Sequence, residues 1–217
     1  MKQTITILFF ILFQTLVFSQ NKKLTVGIAG APTYYNVKSA EGFNHEYTKK
    51  LSYRVGLDLG FHLGKRSTIS TGAYYSTIGY KVVYKYIFIQ PNDPYIPRNA
   101  DITANYLEIP LTYNFNVVAK PKLEFYLSAG IIYSRLMSSD DRTTFENNSV
   151  RSSGYLNSSL LSLQGGIGLQ YNFTDRLGIK LEPHYRLFTK GIDRIIYQQT
   201  KSFDATLGII FTLWEKK

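Results

Sequence analysis

The 217-residue sequence contains no cysteine, only three histidines and seven prolines, and fewer acidic than basic residues, 15 Asp+Glu against 25 Lys+Arg. Each shortage excludes something. Without thiols there is no disulfide framework, no thiolate metal site and no lipid-anchored N-terminus, so stability must come from backbone pairing and packing. His45, His62 and His184 are far apart and form neither a HExxH pair nor a His-x-Ser arrangement. After the first nineteen residues no apolar run approaches the about 20 residues that a membrane-crossing helix needs. The acidic deficit leaves a net charge of +10. In an exported chain, anionic lipid head groups are the expected counter-charge; no basic helix or aromatic RNA-reading motif points to nucleic acid.

What is present begins with an export signal. Met1-Lys2, an apolar run over 5–18 and the ending Val17-Phe18-Ser19 place a signal peptide over 1–19, cut after Ser19. Gln14 and Thr15 interrupt the run, which suits a cleaved signal better than a retained anchor. The remaining domain, 20–217, is rich in tyrosine (18), phenylalanine (10 of the chain's 14) and scattered glycine (16), a composition that favours strands.

Alternation defines those strands. In 201–214, Phe203, Ala205, Leu207, Ile209, Phe211 and Leu213 share one face, with Asp204, Thr206, Gly208 and Thr212 mostly between them. The same period predicts strands over 24–36, 50–63, 67–80, 102–118, 123–133, 161–173 and 177–187. Tyr74, Ile78 and Tyr80 fall on the face opposite Ile69, Ala73 and Tyr75, so a bulge is expected in the third strand. Gly64-Lys65-Arg66, Ala119-Lys120-Pro121-Lys122 and Thr174-Asp175-Arg176 read as short turns. Longer loops are expected over 37–49, 81–101, 137–158 and 191–200, with 84–89 able to extend a strand.

Eight strands with short turns at one end and long loops at the other describe an all-β, eight-stranded antiparallel up-and-down transmembrane β-barrel, its last strand paired with its first. An even strand number puts both termini on the short-turn, periplasmic side. A soluble lipocalin-like barrel would turn the apolar face inward instead. Strands longer than the 9–11 residues needed to cross a tilted bilayer favour the membrane. So do aromatic residues near strand ends, including Tyr53, Phe115, Phe125, Tyr133, Phe173, Tyr185, Phe203 and Trp214.

With the apolar face on lipid, Arg54, Asp58, Glu108, Glu124, Lys180, Glu182, Arg186 and Asp204 all point into the lumen. Both signs are present, and an eight-stranded barrel is about filled by its side chains, so a structural charge network that plugs the lumen is favoured over a selective pore. His62 and His184 should face the same interior. Lys81, Lys85 and Arg98, with Tyr84, Tyr86 and Tyr95, form a candidate rim for phosphorylated glycolipid.

At Tyr106-Leu107-Glu108-Ile109-Pro110-Leu111 the chain resembles the PorT-like outer-membrane β-barrel proteins of Bacteroidetes, in which a similar strand recurs. Phe18-Ser19-Gln20 is similar to signal endings in that group. The resemblance implies a barrel over the whole mature chain and, for the PorT branch, a part in protein secretion across the outer membrane. Thr206-x-Gly208-x-x-Phe211-x-Leu213 is similar to the terminal signal read by barrel-assembly machinery, with Glu215-Lys216-Lys217 extending past it.

No residue cluster reads as catalytic, cofactor-binding or metal-binding. His45 with Ser39 or Ser52 lacks an orienting third group. Gly60 to Lys65 departs from phosphate-loop spacing. Asp140-Asp141 with Glu146 lacks the spacing and glycine of a calcium loop and reads as a solvated turn. The sequence therefore points to a non-enzymatic integral outer-membrane barrel whose partners are lipid and envelope or secretion-system proteins. A small pore, a lipid-modifying barrel enzyme and a soluble binding barrel are the alternatives.

Overall fold

The computed structural model describes residues 24–39, 45–64, 66–85, 97–145, 147–152, 156–192 and 198–214. The expected signal peptide lies outside them. Ten strands form in chain order: β1 (Leu24–Ser39), β2 (His45–Lys49), β3 (Ser52–His62), β4 (Ser67–Tyr84), β5 (Asn99–Ala119), β6 (Leu123–Thr144), β7 (Ser149–Ser152), β8 (Ser159–Asn172), β9 (Leu177–Phe188) and β10 (Gln198–Trp214). Eight of them close a ring in the order β1-β3-β4-β5-β6-β8-β9-β10, every pair antiparallel. The seam is the expected one: β1 pairs with β10 from Leu24↔Trp214 to Ser39↔Gln198. The short β2 and β7 add to β4 and β6 at the loop end.

Outside β4, the predicted alternation holds in the strands of the ring. Leu57, Leu111, Ile131, Leu163, Ile179 and Ile209 are exposed on the outside, while Arg54, Glu108, Arg186 and Asp204 are buried within. On β5 the exposed series Leu107, Ile109, Leu111, Tyr113, Phe115 and Val117 covers about 33 Å of strand, which at a tilt near 40° is a band about 25 Å tall. That is the height of a bilayer's apolar layer. Aromatic rings edge it: Tyr34↔Phe203↔Tyr185 form one ladder row towards the loops, and Tyr113, Phe115, Tyr171 and Phe173 lie towards the turns, all exposed.

Three expectations are corrected. β4 has no bulge: its register with β3 and β5 is unbroken; Tyr74 faces inward to meet Asp58 and Arg54, and Ile78 and Tyr80 face inward because the lumen turns apolar towards the loop end. The register shifts fall elsewhere, on the β5–β6 pair between Asn105 and Tyr106 and between Asn116 and Val118, and at Leu24/Thr25 on the seam. Much of the expected loops is ladder. Residues 37–39 belong to β1, 45–49 form β2, β4 runs on to Tyr84, β5 begins at Asn99, and 137–144 with 149–152 complete β6 and β7. Ser-, Asn- and Asp-rich composition signals a loop only where no partner strand is offered; here β5 offers one. Asp140 and Asp141 therefore sit on opposite faces of β6, Asp140 outward beside Arg151 and Asp141 buried, and are not a solvated turn.

The short turns after β5 and β8 are where expected, and Lys65 of the third lies outside the described residues. In the β5–β6 turn Lys120 and Leu123 exchange backbone hydrogen bonds of 3.0 and 3.2 Å across Pro121-Lys122, and Thr174 Oγ1 accepts from the Arg176 and Leu177 amides. Inward glycines make room for lumen rings. A Cβ at Gly168 would lie 2.2 Å from the Tyr126 ring. Gly168→Val is expected to displace that ring and cost about 1–3 kcal/mol, read as a lowered urea midpoint in detergent.

Candidate functional site

The lumen is the site, and it is layered. Nearest the turns it is polar: Asn116 Nδ2 donates to Glu124 at 3.0 Å, Asn172 Nδ2 donates to the same carboxylate at 3.3 Å, and Thr68 bonds His62 Nδ1 at 2.9 Å. Two spaces of about 30 Å³ each open in the lumen, one between these groups and the layer above and one within that layer, each with room for one or two water molecules.

The middle layer holds two charge clusters. In the lower one Lys180 Nζ lies 2.7 Å from Asp58 and 2.7 Å from Glu182. Tyr74 donates its hydroxyl to Asp58, and Tyr126 donates to Glu182 at 2.6 Å. In the upper one Arg186 grips Glu108 with both Nη atoms, at 3.1 and 2.7 Å. Its Nε lies 3.5 Å from Asp204, which also faces Arg54 at 3.7 Å and His184 Nδ1 at 3.5 Å. Arg54 stands 3.8 Å from Glu108 and lies over the Tyr74 ring, 4.1 Å from its centre, joining the two clusters. The upper cluster sets two arginines against two carboxylates. Arg186 and Asp204 are fully buried, so in low dielectric their charges require these partners.

Above the charges the lumen is closed by an apolar cluster that includes Tyr35, Ile78, Tyr80, Val82, Ile102 and Tyr106, with Leu156, Leu160 and Ile192 inserted from β8 and the loop ends. Tyr106 also donates its hydroxyl to the Asn157 carbonyl at 3.0 Å, tying β5 to the segment before β8.

Of the eight residues expected in a lumen network, seven form the two clusters, and Glu124 sits apart in the polar layer with amide donors rather than cations. The Tyr106–Leu111 motif is a lumen-building strand: Tyr106 enters the apolar seal, Glu108 is the hub of the upper cluster, and the Pro110 carbonyl accepts from Thr71 at 2.8 Å. Leu107, Ile109 and Leu111 face outward. Lys81, Lys85 and Arg98 gather at the loop end of the β4–β5 hairpin, where Lys85 pairs with Glu46 and the Arg98 carbonyl accepts from the Tyr84 amide at 3.1 Å. Tyr86 and Tyr95 lie outside the described residues, as do the side chains of His45, Ser39 and Trp214 and all of Glu146. Ser52 is buried, donating to the Lys50 carbonyl and accepting from Gly79. Sequence reasoning missed the apolar seal. Its sequence signal is the inward Ile78 and Tyr80, which read as one side of a bulge.

An outer surface with a lipid-height apolar band, aromatic edges and a closed ring of hydrogen-bonded strands defines an integral membrane β-barrel. Residues 18–188 match the model of the outer membrane protein beta-barrel domain family, and the chain belongs to that family, integral to the outer membrane. No curated protein matches it. Among solved structures it is similar in fold to OprG from Pseudomonas aeruginosa, with 12% identity, 89% of this chain and 96% of that chain covered and a TM-score of 0.54. It is also similar to Neisserial surface protein A, with 12% identity, 88% and 97% coverage and a TM-score of 0.50.

Proposed function

We propose that this chain is a non-enzymatic, non-conducting barrel that serves the envelope structurally, its termini and short turns periplasmic and its long strands and loops outside. The sealed lumen carries this reading: a paired charge layer lies beneath an apolar cluster, and the spaces below and within the charge layer are water-sized. Among the described residues, such an interior gives a hydrated ion no continuous path. Purified protein in a planar bilayer is expected to give no discrete conductance steps; regular steps from every preparation would favour the small-pore alternative.

His184 lies beside Asp204, but both are buried beneath the seal, out of reach of the lipid around the barrel, which speaks against a catalytic pair. The resemblance at Tyr106–Leu111 supports a more specific role, as a scaffold or component of a PorT-like secretion or assembly complex. Gentle extraction followed by native sizing tests it. Recovery in a reproducible large assembly is the expected result; recovery at the chain's own mass overturns the complex and leaves the self-contained barrel.

A further inference from the structure

Beyond the apolar band, β4, β5 and β6 continue past the bilayer as a sheet extended by β2 and β7. Its inward face is the apolar seal. Across its outer face runs one ladder row, Lys81↔Asp101↔Arg142↔Arg151. Neighbours in such a row stand about 5 Å apart, and like charges placed directly opposite destabilise a sheet. Arg142 and Arg151 are so placed.

The carboxylates nearby leave charge over. Asp101 is taken by Lys50, reaching over from the β2–β3 link, and Asp140 lies 3.6 Å from Arg151. Lys81 and Arg142 form no ion pair among the described residues. Four cations thus meet two carboxylates on a largely solvent-facing sheet surface.

Its height narrows the ligand. Lys81 lies six positions beyond Tyr75, the last exposed ring on β4. That is about 20 Å along the strand and about 15 Å above the edge of the apolar band at a tilt near 40°. Phosphates fixed directly to an acyl-bearing sugar lie lower, at the head-group level. Phosphates on sugars further out in the same glycolipid lie level with the row.

We propose that this row binds the phosphorylated outer saccharide of a neighbouring glycolipid, Arg142 and Arg151 sharing one phosphate as charge-assisted donors and Lys81 supplying a second contact. The proposal rests on the loop end being extracellular and extends the candidate rim of Lys81, Lys85 and Arg98 to β6 and β7.

The test uses the full chain refolded in detergent micelles, with three probes: deacylated phosphorylated core oligosaccharide, the acylated disaccharide phosphate alone, and a soluble sulfated polysaccharide. The core oligosaccharide is expected to bind, and Arg142→Glu with Arg151→Glu to weaken it at least tenfold, while Arg142→Lys with Arg151→Lys keeps most of the affinity. Heat-modifiable migration on gels confirms that each variant is folded. Equal binding by wild type and the glutamate variant overturns the proposal. So does binding of the disaccharide phosphate or the sulfated polysaccharide to the row without binding of the core. Labelling Ser149→Cys on intact cells with an impermeant maleimide separately tests the orientation: failure there overturns the extracellular placement, whereas failure of the oligosaccharide alone overturns the ligand.

Discussion

Glu108→Ala is expected to lower folding stability by about 3–5 kcal/mol, measured by reversible urea unfolding in lipid vesicles, because it strands the charge of Arg186 in the lumen. Arg186 is 0% exposed and spends its bidentate face on Glu108. Removing the carboxylate leaves Arg54 and Arg186 to share Asp204 alone, two cations on one anion. Adding Arg186→Ala to Glu108→Ala restores the balance with Arg54 facing Asp204 and should recover much of the loss, apart from the cavity left by two truncated side chains. A double variant no more stable than Glu108→Ala would show that the residues act through packing and not through charge.

Leu111→Arg should cost about 2–4 kcal/mol in the same assay, since Leu111 lies near the middle of the apolar band, in the row Leu111↔Ile131↔Leu163↔Leu187. Thr103→Arg, also outward on β5 but eight positions nearer the loops, should change stability by no more than about 0.5 kcal/mol. The contrast is what lipid imposes and water does not. Were the outer face in water, both substitutions would be near neutral; a flat result at Leu111 would contradict the membrane band.

The ring of strands was legible because one face meets lipid and the other a packed lumen, which forces a period of two on the chain. Leu107 to Val117 and Leu123 to Tyr133 show it without interruption. The charges at Arg54, Glu108, Arg186 and Asp204 were legible for the same reason: no position between lipid-facing residues can point anywhere but inward. The pairing was not, because partners such as Glu108 and Arg186 are 78 residues apart and meet only through the strand order. Beyond the bilayer the outer face meets water, the contrast between faces fades, and β2, the end of β6 and β7 read as loops. There the inward face is the apolar one, so Ile78, Tyr80 and Val82 invert the pattern that served lower down. No register slip is needed; the environment changes along the same strand.

The β1–β10 seam joins the two ends of the chain, and this imposes an order on assembly. Every other junction of the ring links strands that follow one another closely, through a turn, a loop or a short added strand. The seam alone must wait until Gln198–Trp214 has arrived. Until the seam closes, β1 and the last strand in place each present an open edge, and in hydrocarbon an unpaired backbone group costs several kcal/mol. The penultimate state is therefore a sheet that belongs neither in water nor in lipid. Its lifetime, rather than the stability of the finished barrel, sets how long an unpaired edge stays open to pairing with another chain.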